Sequence, residues 1–333
     1  MVITRTPFRI SFFGGGTDYP GWYKEHGGQV LSSTINRYCH ITCRYLPPFF
    51  DYKYLLRYYL REETNNIADI KHNSVRECLN LVNLADGIEL VHTGDVPAQS
   101  GIGSSSSFTV GLLHALYALK GEMITKRQLA LRAIEVEQRL IGENVGSQDQ
   151  VAAAFGGFNR IEFGGDREFF VTPVTINAQK LRYFQDCLMF FFTGISRNST
   201  DIAGELIKNT PKKKTELGLM SEMVNEAMTI LNGPIENYND FGKLLNETWK
   251  LKRGLTSKVS SNQIDYIYEA ALSAGALGGK LCGAGGGGFL FFFVPPEKQP
   301  MVREKLKDFL YVPIRFDTLG THIILYSTQD VVF

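Results

Sequence analysis

The chain has 333 residues, enough for about two domains, each able to bury a core without disulfides or metals. Apolar residues make up 44%, and Lys+Arg 35 against Asp+Glu 34 leave a formal charge of +1. That balance excludes a basic nucleic-acid tail, an acidic solvating chain and bulk disorder, and no apolar run approaches the ~18 residues of a membrane-spanning helix.

In chain order, β-branched and aromatic enrichment predicts strands at Ile3–Phe13, Gly28–Ser33, Tyr38–Tyr45, Tyr52–Leu60 and Gly87–Thr93. The first of these occupies the N-terminus, where a signal peptide is therefore not expected. His72–Asn83 reads as a helix, and Phe108, Leu112, Leu116 and Leu119 place an apolar stripe on a second. Thr125 with Gln128 forms a capping-box pattern that opens a helix to about Ile141. Ser147 with Gln150 repeats that pattern for a short helix ending before Gly156-Gly157, and strands follow at Phe158–Phe163 and Phe169–Val174. Past Asn177 the style changes. A strand at Leu188–Thr193 precedes helical stretches over 199–208, 213–232, 238–252 and 262–274. A strand, a glycine run, the all-apolar strand Phe289–Val294, a helix near 297–309 and two last strands complete the pattern. The shift in style falls near 165–180 and divides the chain into domains 1–170 and 171–333. Cys39, Cys43, Cys78, Cys187 and Cys282 show no CxxC or metal spacing; they are expected to be buried free thiols, as in a reducing cytoplasm.

Glycine is over-represented, with 33 residues against an average near 7%. Ten of them sit in three clusters: Gly14 to Gly16; Gly101 and Gly103; and Gly283 with Gly285 to Gly288. The middle cluster, in the run Pro97 to Ser107 that includes Ile102, Ser104, Ser105 and Ser106, leads straight into a helix. Free N–H groups at a helix N-terminus suit phosphate, although a polar linker capping a helix reads the same way. The run lacks the GxxxxGK[ST] spacing and the third glycine of a dinucleotide fingerprint. The first cluster follows Arg9 and ends in Thr17-Asp18. The third, with Gly283, Gly285, Gly286 and Gly287, is too glycine-rich for an ordinary hairpin and implies close packing on a loop or a ligand. The three clusters are expected to converge in space.

Two carboxylates stand out. On a helical wheel for 129–141, Glu137 falls amid Leu129, Ala133, Ile134, Val136, Leu140 and Ile141, whereas Glu135 points away. A carboxylate on a core face needs a partner, either a buried arginine or a Mg²⁺ ion. Asp149 sits in the first turn of the helix after Ser147, where the dipole favours its ionised form. An ionised carboxylate there can take a proton from a hydroxyl, though acidic first turns are common without function.

Taken in order, Arg9…Gly-Gly-Thr-Asp18, Pro97-x3-Gly-Ile-Gly-Ser-Ser-Ser, Gly-Ser-Gln-Asp149-Gln and Lys280-Leu-Cys-Gly-Ala-Gly-Gly-Gly-Gly resemble the motifs of the GHMP kinases over essentially the whole chain. The resemblance implies two α/β domains, an N-terminal one like ribosomal protein S5 domain 2 and a C-terminal ferredoxin-like one, with the active site between them. It implies an ATP- and Mg²⁺-dependent sugar kinase. The run Pro97–Ser107 would wrap the ATP phosphates, Ser105 and Glu137 would bind magnesium, and Asp149 would take the proton. Arg9 would stabilise the transferring phosphoryl group, and Gly16, Thr17 and Asp18 would hold the sugar. Gly15-Gly16 stand where galactokinases carry Glu-His, which argues against galactose. FRISFFGGGTD, GSQDQVAAAFGG and TGISRNSTDI resemble the bacterial heptose 7-phosphate kinase branch, which phosphorylates an anomeric hydroxyl. A phosphorylated sugar needs further cations, for which Arg197, Lys252 and Arg253 are candidates. Another sugar 1-kinase, fucose-type for example, and a catalytically silent sensor of the same fold are the alternatives. Small-molecule partners, a cytoplasmic location and no nucleic acid or membrane are expected, with a homodimer left open. Asp240-Phe241-Gly242 spells a protein-kinase motif but lies in a helical stretch without its companion segments.

Overall fold

The computed structural model describes residues 1–165, 168–195 and 199–327. Strand β1 (Val2–Phe13) leads through the first glycine cluster into α1 (Pro20–His26), which Pro20 and Gly21 had hidden from sequence reading. The two strands expected next are one, β2 (Gly28–Tyr45). Its pairing with β1 slips between Pro7 and Phe8. A proline has no N–H to give a ladder, so an irregularity there is the natural place for it. Of Tyr52–Leu60 only β3 (Tyr54–Arg57) is strand; it pairs in a hairpin with β4 (Arg61–Thr64), beyond the expected range, and α2 (Asn73–Val82) ends at Asn83 in the left-handed conformation.

After β5 (Ile88–Gly94), helix α3 (Ser104–Leu119) begins four residues before its apolar stripe, because Gly103 at φ 76° caps it. Helix α4 (Lys126–Ile134) has the expected Thr125–Gln128 capping box, and 135–141 continues it as a π-helical turn. Helix α5 (Gln148–Phe155) corrects an expectation: Ser147 makes no side-chain cap. Its hydroxyl lies 3.2 Å from the Tyr23 hydroxyl and accepts from Gln138 Nε2 at 3.1 Å, while the Gln150 amide turns to Glu137. Then come β6 (Phe158–Phe163), β7 (Phe169–Pro173), the unforeseen α6 (Ala178–Asp186) and β8 (Leu188–Phe192). The helices α7 (Ser199–Asn209), α8 (Lys214–Asn232), α9 (Tyr238–Arg253) and α10 (Asn262–Ser273) are followed by β9 (Gly278–Leu281), β10 (Phe289–Phe293), α11 (Gln299–Lys305), β11 (Leu310–Tyr311) and β12 (His322–Tyr326).

The strands form two sheets. One runs β12-β1-β2-β5-β3-β4, with β6 on the first half of β2 and β7 beyond it; β12 thus returns from the end of the chain to lie against β1. The other runs β11-β8-β10-β9, all antiparallel. With its helices this is a βαββαβ unit of spatial order 4-1-3-2, the ferredoxin-like arrangement. One apolar core passes from lobe to lobe. Phe12 packs edge-on against Phe158, Phe184, Phe241 and Phe291, with ring centroids 5.5–5.7 Å apart. Phe241, from the apparent kinase motif, is core, and Asp240 pairs with Lys243 on the surface. All five cysteines are buried and free.

Candidate active site

A cavity of about 430 Å³ opens between the lobes. On its floor Arg9, from β1, grips Asp149, from the first turn of α5. Nε to Oδ1 is 2.7 Å, Nη2 to Oδ2 is 2.6 Å, and Nη1 donates to the Gly101 carbonyl at 2.9 Å. Such a fork is the strong, oriented form of an ion pair. Burial opposes the guanidinium's charge, but Asp149 more than offsets this and holds its pKa above the ordinary value. Asp18 is buried too. Burial raises its pKa, while the N–H groups of Gly16 (2.9 Å) and Gln148 (3.4 Å) steady its carboxylate.

The glycine clusters meet here as expected. A Cβ on Gly101 would come within 2.8 Å of the Cys282 carbonyl oxygen, and one on Gly283 within 2.7 Å of the Gly101 oxygen, so the second and third loops touch backbone to backbone. Gly15 and Gly16 of the first loop line the same cavity with Gly101, Gly103 and Gly283. The N–H groups of the first turn of α3 are available to an anion.

Glu137 is fully buried, as the wheel anomaly required, yet among the described residues no arginine pairs with it. Its Oε2 accepts from Ser106 Oγ at 2.8 Å and from the Gln150 amide, while Oε1 is buried without a hydrogen bond. Burial pushes its pKa up to about 7, against the pull of Thr109, Ser106 and Gln150. The π-helical turn that carries it is a feature frequent at functional sites. An orphaned carboxylate oxygen below the N-terminus of α3 fits a hard cation that takes one carboxylate and completes its shell with hydroxyls, water and phosphate. Among the described residues, no group of three or more His, Cys, Asp or Glu could hold a metal ion.

Other expected site residues divide. Ser104, Ser105 and Ser106 line the cavity. Ser107 turns away to the Pro7 carbonyl (2.9 Å), Ile102 is buried in the core, and Pro97 is exposed beside the cavity rather than in its wall. Thr17 does not face the cavity, because its hydroxyl is committed to the Gly14 and Gln29 carbonyls (2.8 and 3.0 Å). Gly285 and Gly287 pack on the Val259 and Ile195 backbones, and the Gly286 N–H bonds to the Val259 carbonyl (2.9 Å). Lys252 lines the cavity, but Arg253 lies outside it, paired with Asp265 at 2.9 Å. Arg197 lies outside the described residues.

Sequence reading missed Ser11, Gln148 and Lys280 as lining residues. In the sequence Lys280 only opens the third glycine motif; its place in a wholly buried four-residue strand emerges with the fold. At the other end of the cavity stand Tyr58, Tyr59, His72, His92 and Phe108. His72 stacks on Phe108 (4.7 Å, 23°), and burial pushes His92 down to about 4, leaving it uncharged at neutral pH.

A helix N-terminus set directly beside an arginine-gripped carboxylate, on the wall of a cleft between two lobes, defines a phosphotransferase that acts on a hydroxyl group. Sequence profiles agree. That of the GHMP kinases N terminal domain matches residues 70–157, and that of the GHMP kinases C terminal domain matches 226–312. Over 311 residues the chain is 30% identical to a D-glycero-alpha-D-manno-heptose 7-phosphate kinase of Campylobacter jejuni, covering 90% of this chain and 91% of that one. A crystal structure of a D-glycero-D-manno-heptose 1-phosphate kinase from Bacteroides thetaiotaomicron superposes with a TM-score of 0.78 over 98% of this chain and all of that one, at 22% identity. An L-fucokinase/L-fucose-1-P guanylyltransferase of Bacteroides fragilis is 26% identical over 86% of this chain but only 34% of its own length. The chain belongs to the GHMP kinase family, and within it is a sugar kinase.

Proposed function

We propose that the protein transfers the γ-phosphoryl group of ATP to the anomeric hydroxyl of D-glycero-D-manno-heptose 7-phosphate, giving the 1,7-bisphosphate. The observation that carries this choice of sugar is the 30% likeness to the Campylobacter enzyme along nearly the full length of both chains. Asp18 holds the sugar hydroxyls. Asp149 orients the anomeric hydroxyl and takes its proton as the oxygen bonds to the γ-phosphorus and ADP leaves. Arg9, already fixed by Asp149, places positive charge where the transferring oxygens develop theirs. The first turn of α3, with Ser104 to Ser106, holds the phosphates, and the aromatic wall of Tyr59, His72 and Phe108 receives the adenine. Glu137 and Ser105 would hold Mg²⁺, which neutralises phosphate charge when bound.

The test is ADP release with ATP, Mg²⁺ and a panel of heptose 7-phosphate, heptose, mannose, galactose and fucose. Heptose 7-phosphate should exceed every unphosphorylated sugar by at least ~100-fold in kcat/KM, about 2.7 kcal/mol. Preferential turnover of fucose would favour the fucose-type alternative, and silence across the panel a sensor.

A further inference from the structure

Behind Arg9 and Asp149 the cavity wall holds two more cations. Lys252 projects from α9 and Lys280 from β9; their residues are 6% and 2% exposed. Among the described residues neither ammonium meets a carboxylate. Lys252 Nζ donates to the Leu281 and Gly283 carbonyls at 3.0 and 2.5 Å, and Lys280 Nζ to the Phe12 carbonyl at 3.1 Å. An ammonium has three N–H donors, so Lys280 keeps two free. Two neighbouring buried cations without counter-ions are costly to folding, and the carbonyls they touch would serve a neutral amine as well.

The wall beside them is equally incomplete. Ser11 Oγ, on a residue 7% exposed, is buried with no hydrogen bond, and Ser11 lines the same cavity. Gly15 stands next to it without needing to be glycine. Its φ lies outside the left-handed region, and a Cβ there would sit at an ordinary 3.7 Å from Ser11 Oγ and 3.8 Å from Gln148 Nε2. By contrast, Gly14 at φ 78° would put a Cβ 1.9 Å from the Gln29 oxygen. The missing side chain at Gly15 leaves room in the cavity beside an unpaired hydroxyl. Lys280 Nζ reaches the Phe12 carbonyl, on the strand that carries Arg9 and Ser11 and leads into the turn of Gly15, Gly16 and Asp18, and Lys252 Nζ stands beside it at the Leu281 and Gly283 carbonyls, which puts both on the acceptor side of the cavity.

We infer that Lys252, Lys280 and Ser11 form a second phosphate subsite, separate from the helix end that takes the ATP phosphates, and that it seats the phosphate already carried by the acceptor sugar. This rests on the reading of the acceptor as a sugar phosphate. A phosphate there supplies the missing counter-charge and acceptors for the free N–H and O–H donors. Burial also holds both lysines below the ordinary lysine pKa, Lys280 at about 8, a displacement that a bound dianion would reverse.

The test measures equilibrium binding of heptose 7-phosphate, unphosphorylated heptose and ATP separately to the full-length protein and to its Lys252→Met, Lys280→Met and Ser11→Ala variants. Thermal unfolding confirms that each variant is folded. In the wild type the sugar phosphate should bind at least ~100-fold more tightly than the sugar. Each lysine variant should cut that preference at least tenfold, Ser11→Ala several-fold, and ATP affinity should move far less. If the wild type shows the preference but the variants keep it, or lose ATP affinity instead, the subsite is refuted while the heptose 7-phosphate reading stands; the second result would give the lysines to the transferred phosphate. If the wild type binds and phosphorylates only bare sugars, that reading fails and takes the subsite with it.

Discussion

Replacing Lys280 by methionine should stabilise the ligand-free protein at neutral pH. Methionine keeps an unbranched stem of similar length and removes the buried charge. Burial pushes the Lys280 pKa from 10.5 down to about 8; Cys282 and Asp18 pull it back, and Arg9 pushes it further down. At ~1.36 kcal/mol per pKa unit, the charged form costs folding about 3 kcal/mol. The lost hydrogen bond to the Phe12 carbonyl returns about 1 kcal/mol, leaving a net gain of about 2 kcal/mol. The sign of the pH dependence follows. Between pH 8 and 10.5 the unfolded wild type holds a proton that the folded one lacks, so wild-type stability climbs with pH across that window. The advantage of the variant should therefore be largest below pH 8, shrink as pH rises, and reverse near 10.5. Urea unfolding of both proteins from pH 7 to 10.5, in phosphate-free buffer without nucleotide, measures the difference directly. A variant less stable than wild type at pH 7, or a gap that does not change with pH, would refute the reasoning.

Other outcomes can be checked alongside. Asp149→Asn should lower kcat by about 10²–10⁴-fold, the range for losing a positioned acid–base group, with ATP affinity nearly intact; retained turnover in a steady-state assay would remove its role. Glu137→Gln should abolish the dependence of ATP affinity on magnesium, read by titrating nucleotide with and without the metal. Gly101→Ala should weaken ATP binding at least tenfold, because φ 80° and the Cys282 oxygen leave no room for a Cβ; calorimetric titration would show it. Phe12→Ala should cost about 3–5 kcal/mol, and far-UV and near-UV signals should still unfold in one transition, since Phe13, Phe158, Phe184, Phe241 and Phe291 keep one core continuous between the lobes.

Much of the site was legible because chemistry breaks pattern. Glu137 announced itself as a charge on an apolar face, and the glycines as loops too crowded for side chains. Ser104 to Ser107 were harder to place, since hydroxyl residues also favour loops; only the positive φ of Gly103 lets the helix start there. Ser147 and Gln150 matched a capping pattern, but Glu137, Gln138 and Tyr23 claimed their side chains, a tertiary competition no local window contains. Thr17 was expected at the sugar by its place beside Asp18, yet the turn after β1 uses its hydroxyl. Lys280 went unassigned because a lysine's burial is invisible until the sheet around it is assembled. The long elements of the C-terminal half matched well at their centres, whereas α1 and α6, of 7 and 9 residues, are short.

The pairing of β12 with β1 bears on how the molecule is made. Residues 2–5 contact residues 322–326 directly, so β1, made before the second lobe, waits for β12, made after it. The N-terminal sheet cannot close while the second lobe is still being translated, and through that interval β1 offers an open, largely apolar edge. Chaperone dependence during synthesis should therefore exceed what the stability of the finished protein suggests.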